Sequence, residues 1–349
     1  MHMISQQEFF TKYDLPQYRR QQFSQAVYKD LIPNWDELTT WSKDLRDKLQ
    51  NEIEFNTLIL EKELISKRQD TIKVLFKRKF DGQRIETVLM RHADGRNTVC
   101  VSCMVGCPVN CQFCATGKMG FGGNLSAAEI VDQVLHFQRW LKPHDAHVTN
   151  VVYMGMGEPM LNLANVQGSI DVLIDPAMLG LGARRLTIST SGYIPQFKKL
   201  VADGFRGRVA ISLHAPNQEL RAQMMPVAKI FPLDKLIEAL DDYVALTNKR
   251  VTYEYIMIKN VNDQVEHALQ LVDLFKNRLA HINLIPYNPI REESFERSLP
   301  EQIRKFTSVL NEHGVEHTIR VTMGDDVNAA CGQLADRENK KHEAKRIKI

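Results

Sequence analysis

Apolar and polar positions change period along the chain, and each change predicts a different kind of element. Within residues 1–50, LPQYRRQQFSQAVYKDL and SKDLRDKL carry apolar residues at helical spacing with charges between them. From Ile72 to Met90 the period becomes two: in IKVLFKRKF, Val74, Phe76 and Phe80 alternate with Lys73, Leu75, Lys77 and Lys79. That alternation predicts a strand with one largely basic face. DGQ at 81–83 is a turn and IETVLM resumes as a second strand, which makes a hairpin.

From Thr98 strand and helix alternate six times, with strands in TVCVS, VTNVVYM, RRLTIST, RVAISLHA, VTYEYIMI and HINLIPY. Two of the intervening helices are expected to open on capping boxes, Ser126 with Glu129 and Ser298 with Glu301. Such alternation implies an α/β fold with a parallel sheet and helices on its outer face. Crossovers of one hand curl the sheet into a barrel or part of one. Six units are too few for an eight-stranded barrel, so a partial barrel is expected. The expected organisation is an N-terminal unit over 1–90, helices then hairpin, a core over 91–334, and a basic polar tail, KKHEAKRIKI, within 335–349.

Composition changes this picture little. An apolar content of 44% with 25% charged residues over 349 residues is ordinary for a soluble globular protein. No apolar run approaches a membrane span, and MHMISQQEFF lacks the charged-then-apolar pattern of a signal peptide, so no membrane association and a cytoplasmic location are expected. A formal charge of +3 neither demands nor excludes a nucleic-acid partner.

The cysteines carry the chemistry. Of six, five lie between Cys100 and Cys114, and the sixth is Cys331. In a chain without a secretory signal such a cluster reads as metal-binding or catalytic, not as a disulfide framework. Cys107, Cys111 and Cys114 follow a CxxxCxxC spacing. Three thiolates on a short loop can hold three irons of a 4Fe-4S cubane and leave the fourth iron open to a ligand, whereas an electron-transfer cluster normally has four cysteines. Zinc is the rival, because Cys100-x2-Cys103 and Cys111-x2-Cys114 make two CxxC pairs. Only seven residues separate them, short for a zinc ribbon, and that reading strands Cys107.

CxxxCxxC just after the first parallel strand resembles the radical S-adenosylmethionine superfamily. The surrounding segments CMVGCPVNCQFCATGKMGFGGNL, MGMGEP, TISTSG, ISLHAP, INLIPYNP and GDDVNAACGQL together resemble the RlmN/Cfr family of RNA adenine methyltransferases, from about Ile85 to Leu334 and in that family's order. The resemblance implies a six-unit partial barrel with an N-terminal accessory domain for RNA, a 4Fe-4S cluster, and two molecules of S-adenosylmethionine per turnover. The first donates its methyl group to a C-terminal cysteine, which Cys331 matches. The second is cleaved to a 5′-deoxyadenosyl radical that takes hydrogen from the methylated cysteine, and the carbon radical adds to an adenine ring carbon. A second cysteine, which Cys100 matches, then resolves the protein–RNA link by forming a disulfide with the first.

Gly157, Glu158, Ser189, Ser212, Leu213, His214 and Asn288 match cofactor-contacting positions, at or just past expected strand ends. His214 taken alone reads as a satisfied core histidine. Glu86 matches a glutamate treated as a proton acceptor, the alternative being a solvated hairpin carboxylate. The basic hairpin face of Lys73, Lys77 and Lys79 is expected to touch phosphate, or else to guard an edge strand against aggregation.

The implied reaction is methylation of carbon 2 of adenine in 23S rRNA at the peptidyl-transferase centre, with the adenine 3′ of the anticodon in tRNA as a second target of several members. Pro159, Ser191 and Asp326 resemble that branch more than the carbon-8 branch that confers antibiotic resistance. A rival of another class is a zinc-stabilised RNA-binding protein without catalysis. The implied partners are RNA and an electron donor of the flavodoxin or ferredoxin kind, and a monomer is expected. Cys103 where serine is usual, Gly123 where arginine is common, and MPVAK at 225–229 depart from the family pattern.

Overall fold

The computed structural model describes residues 5–290, 293–321 and 323–334; the basic tail expected at 335–349 lies outside them. Helix α1 (Gln6–Lys12) starts at Ser5, whose hydroxyl accepts from Glu8 N while Glu8 answers the Ser5 amide, a reciprocal cap. With α2 (Gln17–Ser24) and α3 (Lys43–Glu52), it encloses a small aromatic core of Phe9, Phe23, Trp35 and Trp41 that rests on Val131 and Leu135.

The main sheet opens with β1 (Leu58–Ile65), β2 (Thr71–Arg78), β3 (Arg84–Arg91) and β4 (Asn97–Cys100). A separate antiparallel pair, β5 (Met104–Gly106) and β6 (Phe121–Asn124), brackets the cysteine loop and the single turn α4 (Ala115–Lys118). Then α5 (Ala127–Leu141), β7 (Asn150–Tyr153), α6 (Leu163–Ile174), β8 (Leu186–Thr190), α7 (Ile194–Ala202) and β9 (Arg208–Ser212) alternate. They are followed by α8 (Gln218–Met224), α9 (Leu233–Thr247), β10 (Val251–Met257), α10 (Val265–Phe275), β11 (Ala280–Pro286), α11 (Pro300–Glu312) and β12 (His317–Ile319).

The ten strands run in the order β1-β2-β3-β4-β7-β8-β9-β10-β11-β12. From β4 onward all pairings are parallel. This is the partial barrel of six β/α units, preceded by helices and a hairpin. In β10, Tyr253, Tyr255, Ile256 and Met257 are all buried, as in a strand covered on both faces, whereas β8 alternates buried Leu186 and Ile188 with half-buried Thr187 and Ser189. The six expected strands fall on β4 and β7 to β11. The short β12 adds a seventh parallel member beside β11.

Several local expectations are corrected. The hairpin is not a separate layer: β3 pairs antiparallel with β4, and Ile72, Val74, Phe76, Ile85 and Leu89 belong to the barrel core. The cut expected at residue 90 therefore runs through one sheet, while the N-terminal helices keep a core of their own. Strand β2 is internal, because β1 covers its outer edge. β1 escaped the alternation test because, apart from Leu58, none of its residues is buried.

The basic face is also reduced to a half-buried Lys77. Lys73 is buried and pairs with Glu86, and Lys79 pairs with Glu54. Arg78, on the opposite face, forks onto Glu129 at 2.7 and 3.2 Å and donates to Asn124 O, which fastens the hairpin to the start of α5. The cap of α5 at Ser126 is present as expected. That of α11 is not: the helix begins at Pro300 after Leu299, and the Ser298 hydroxyl is buried without a partner among the described residues. Proline at the first helical position supplies the preset φ that makes this start.

Candidate active site

The parallel strands end on one side of the sheet, and the cysteine loop lies across those ends. Its position is set by buried amide contacts. Gln133 of α5 holds both the N–H and the C=O of Ser102, and Asn162 donates to Cys103 O and Leu125 O at 2.8 and 2.7 Å. At the loop entrance Gly106 has φ +66, and a Cβ there would lie 1.9 Å from Gly120 O. That carbonyl accepts the Cys107 amide at 2.8 Å, so glycine is needed for the loop to leave β5 at this angle.

Cys107, Cys111 and Cys114 are each half-buried, and Cys114 lies close enough to raise the proton affinity of both Cys107 and Cys111. Burial, then the neighbouring thiols, pushes Cys107 and Cys111 well above the usual thiol range. The guanidinium of Arg221 opposes this at Cys111. Arg221 is fully buried; it donates to Ser191 O at 2.7 Å and to Ser212 O at 3.3 Å, while its Nε and Nη1 have no partner among the described residues. Three thiols beside a buried cation with spare donors fit an anionic group held on one loop. Among the described residues no three His, Cys, Asp or Glu side chains converge as on one metal ion.

A cavity of about 270 Å³ opens beside this loop. Cys100 at the end of β4, Cys114 of the loop, Asn288 after β11 and Cys331 near the C-terminus all line it. The sheet thus brings Cys100 and Cys331 together. The segment bearing Cys331 is tied down by Ala115 N to Gly332 O at 2.8 Å, by Thr116 Oγ1 to Leu334 O, and by Asn288 Nδ2 to Cys331 O at 3.3 Å. Burial, with the adjacent Cys331, pushes the Cys100 thiol up to about 12; Arg320 opposes this. Arg320 follows β12 and lines the same cavity, and the nearby Cys331 is the main cause that pushes its pKa up.

The remaining expected residues divide by surroundings. Glu158 is buried and accepts from Ser191 N, Ser191 Oγ and Met160 N at 2.8, 2.7 and 3.1 Å. Burial still raises its carboxyl above the usual range, against those bonds. Gly157 has φ +107, and a Cβ there would strike Met104 at 2.7 Å, so its glycine is required by packing. Ser189 and Ser212 are half-buried on β8 and β9. Leu213 is fully buried, its amide bonded to Glu254 O. His214 is a satisfied interior histidine: Nδ1 accepts from Ile256 N at 3.1 Å, its carbonyl accepts from Asn262, and burial lowers its pKa to about 3. Glu86 is not a solvated hairpin carboxylate; it is 6% exposed and ion-paired with Lys73. Arg221 and Arg320 were missed because a lone arginine in QELRAQ or HTIRV carries no spacing signal.

A partial barrel of this topology, with three cysteines on the loop after its first parallel strand, defines the radical S-adenosylmethionine class of enzymes. The profile described as "Radical SAM superfamily" matches residues 101–272. A probable dual-specificity RNA methyltransferase RlmN from Dictyoglomus thermophilum is 43% identical over 91% of this chain and 90% of its own length. The protein of the same description from Bacillus cereus is 42% identical over 96% of this chain and 91% of its own. The crystal structure of a radical SAM methyltransferase from Sphaerobacter thermophilus superposes with a TM-score of 0.91 at 41% identity, covering 94% of this chain and 95% of that one. The chain belongs to the RlmN family of radical SAM RNA methyltransferases. Membership brings with it S-adenosylmethionine and a 4Fe-4S cluster. No helix among the described residues is long and apolar enough to cross a membrane.

Proposed function

We propose that this enzyme methylates carbon 2 of adenine in 23S rRNA and in tRNA, with Cys331 as methyl carrier and Cys100 as resolving thiol. One observation carries the reading: two cysteines remote in sequence line one cavity with Cys114 of the cluster loop. The description of the relatives as dual-specificity supports two RNA substrates.

Cys107, Cys111 and Cys114 would hold the cluster, with one S-adenosylmethionine bound beside it and two consumed per turnover. When bound, these groups supply the methyl group and the radical-generating electron. The protein's own part follows from its side chains. Cys331 accepts the methyl group on sulfur, as a thiolate nucleophile can. Cys100, pushed up to about 12, stays a neutral thiol near neutral pH and does not compete for the methyl group. It acts last: its sulfur bonds to that of Cys331, the bond from the Cys331 sulfur to the carbon joined to the base breaks with its electron pair leaving on that carbon, and the carbon takes up the proton that the Cys100 thiol gives up, completing the methyl group; exchange with an external dithiol then reduces the disulfide to both thiols. Arg221 balances the negative charge of the cysteine loop. Asn288 and the Ala115 amide hold the Cys331 segment over the cavity. The N-terminal helices and the hairpin serve RNA binding, and a flavodoxin- or ferredoxin-like protein supplies the electron to a monomeric enzyme.

The residues that resemble the carbon-2 branch have structural duties here. Ser191 binds Glu158 twice, Pro159 opens the turn that Glu158 caps, and Asp326 accepts from Lys67 N at 2.8 Å. The test is mass spectrometry of rRNA and tRNA nucleosides from cells lacking and re-expressing the protein. 2-Methyladenosine restored in both RNAs is the expected result. 8-Methyladenosine, or no methylated adenosine, overturns the reading.

A further inference from the structure

The segment carrying Cys331 meets the barrel on two sides. On one side it is bonded to the cysteine loop and to Asn288, as described. On the other it meets the hairpin. Lys67 N donates to Asp326, and Gly324, with φ +68, packs so tightly that a Cβ would fall 2.5 Å from Thr71 Cγ2. Between these, Lys73 reaches from the inner face of β2. Its Nζ lies 2.8 Å from Glu86 Oε1 and 3.1 Å from Asn328 O, three residues before Cys331.

The ion pair is buried on both sides, with side-chain exposures of 9% and 8%. A buried pair of this kind adds little to stability by itself, because desolvating two charges offsets most of their attraction, though breaking it is costly. A buried ion pair that also bonds a neighbouring segment has a use apart from stability. Ammonium carries three donors on one atom. It can meet a carboxylate and a carbonyl at once, which no apolar residue at position 73 could do.

We infer that Lys73 is a positioning residue for Cys331: its ammonium group, held by the Glu86 carboxylate, latches the Asn328 carbonyl and so sets where the Cys331 segment stands in the cavity. The methyl-carrying sulfur must face the methyl donor and then the base, and the latch defines one of those stations. The inference rests on the carrier role of Cys331 for its consequence, not for its geometry. The two fail separately: the latch in thiol reactivity and amide exchange, the carrier role in whether a methyl group is found on Cys331.

The experiment uses the full chain loaded anaerobically with its cluster, so that the cluster cysteines are occupied. Alkylation of Cys331 by iodoacetamide is followed by peptide mass spectrometry, together with hydrogen exchange across residues 324–334. In Lys73→Met both should accelerate at least about tenfold, the factor that one hydrogen bond from a charged donor represents. The reversed pair, Lys73→Glu with Glu86→Lys, separates latch from fold. It restores an ion pair and the unfolding midpoint, but a carboxylate at position 73 cannot donate to the Asn328 carbonyl, so the segment should stay loose. Two results overturn the inference: wild-type rates in a folded Lys73→Met protein, or a reversed pair whose Cys331 rates return to wild type.

Discussion

Gly106→Ala tests how tightly the cysteine loop depends on one backbone position. An alanine there must keep φ +66, which costs an L-residue roughly 1–2 kcal/mol. Its methyl group would also sit 1.9 Å from Gly120 O and 3.0 Å from Gly120 C, both backbone atoms. β5 and β6 must part, and the 2.8 Å bond from Cys107 N to Gly120 O is lost. A buried donor left without a partner costs roughly 1–3 kcal/mol. The expected sum is about 2–5 kcal/mol, concentrated where the loop leaves its small sheet. Gly95→Ala is the matched control: φ there is +84, but nothing lies within 4 Å of the added carbon. It should lose about 1–2 kcal/mol from backbone strain alone. Iron and sulfide per chain after anaerobic loading, measured beside urea unfolding of the unloaded proteins, separate the two. Gly106→Ala should lose iron and Gly95→Ala should keep it. Equal iron in both would refute the claim that the Gly106 turn aims the cysteine loop.

Alanine at Cys107, Cys111 or Cys114 should abolish iron loading, while Cys103→Ala should keep nearly all of it, because Cys103 is buried against Gly157 and Met104 away from the cavity lining; retention of a full cluster by Cys107→Ala contradicts the ligand assignment. Cys100→Ala, expressed in cells, should copurify with RNA attached through Cys331 and sensitive to ribonuclease on denaturing gels; the Cys100→Ala, Cys331→Ala double variant should carry none. Stability of the unloaded protein should fall with pH at His214. Its folded pKa is lowered to about 3, by burial and then by Arg221, so between that value and the ordinary histidine range the unfolded chain takes up a proton that the folded chain refuses. From about pH 6.5 to pH 5 the expected loss is about 2 kcal/mol, read by urea unfolding and flattened in His214→Gln.

What the sequence determined by itself is what local pattern can carry. β4 and β7 to β11 announce themselves as short β-branched and apolar segments bounded by helical patterns, because strand and helix differ in period over a few residues. The cysteine spacing defines a loop that carries three thiols close together, since neighbours in sequence are neighbours in space. The Ser126–Glu129 box marks the start of α5 for the same reason. Tertiary structure decided everything that depends on which distant groups meet. β1 has almost no buried residues, so its place at the sheet edge is invisible until β2 pairs with it. Lys73 looks like one lysine of a solvated face, and only the register of β2 against β3 and the docking of residues 324–334 turn it into a buried bridge. Ser298 carries the spacing of a cap but lies a residue too early, because Pro300 starts α11 without one. Cys100 and Cys331 share a cavity with Arg320, and Arg221 reaches Cys111, because strand order folds remote segments onto one end of the barrel. Charge balance in a low-dielectric interior is settled by proximity in space, and spacing along the chain records proximity only within a turn or a loop.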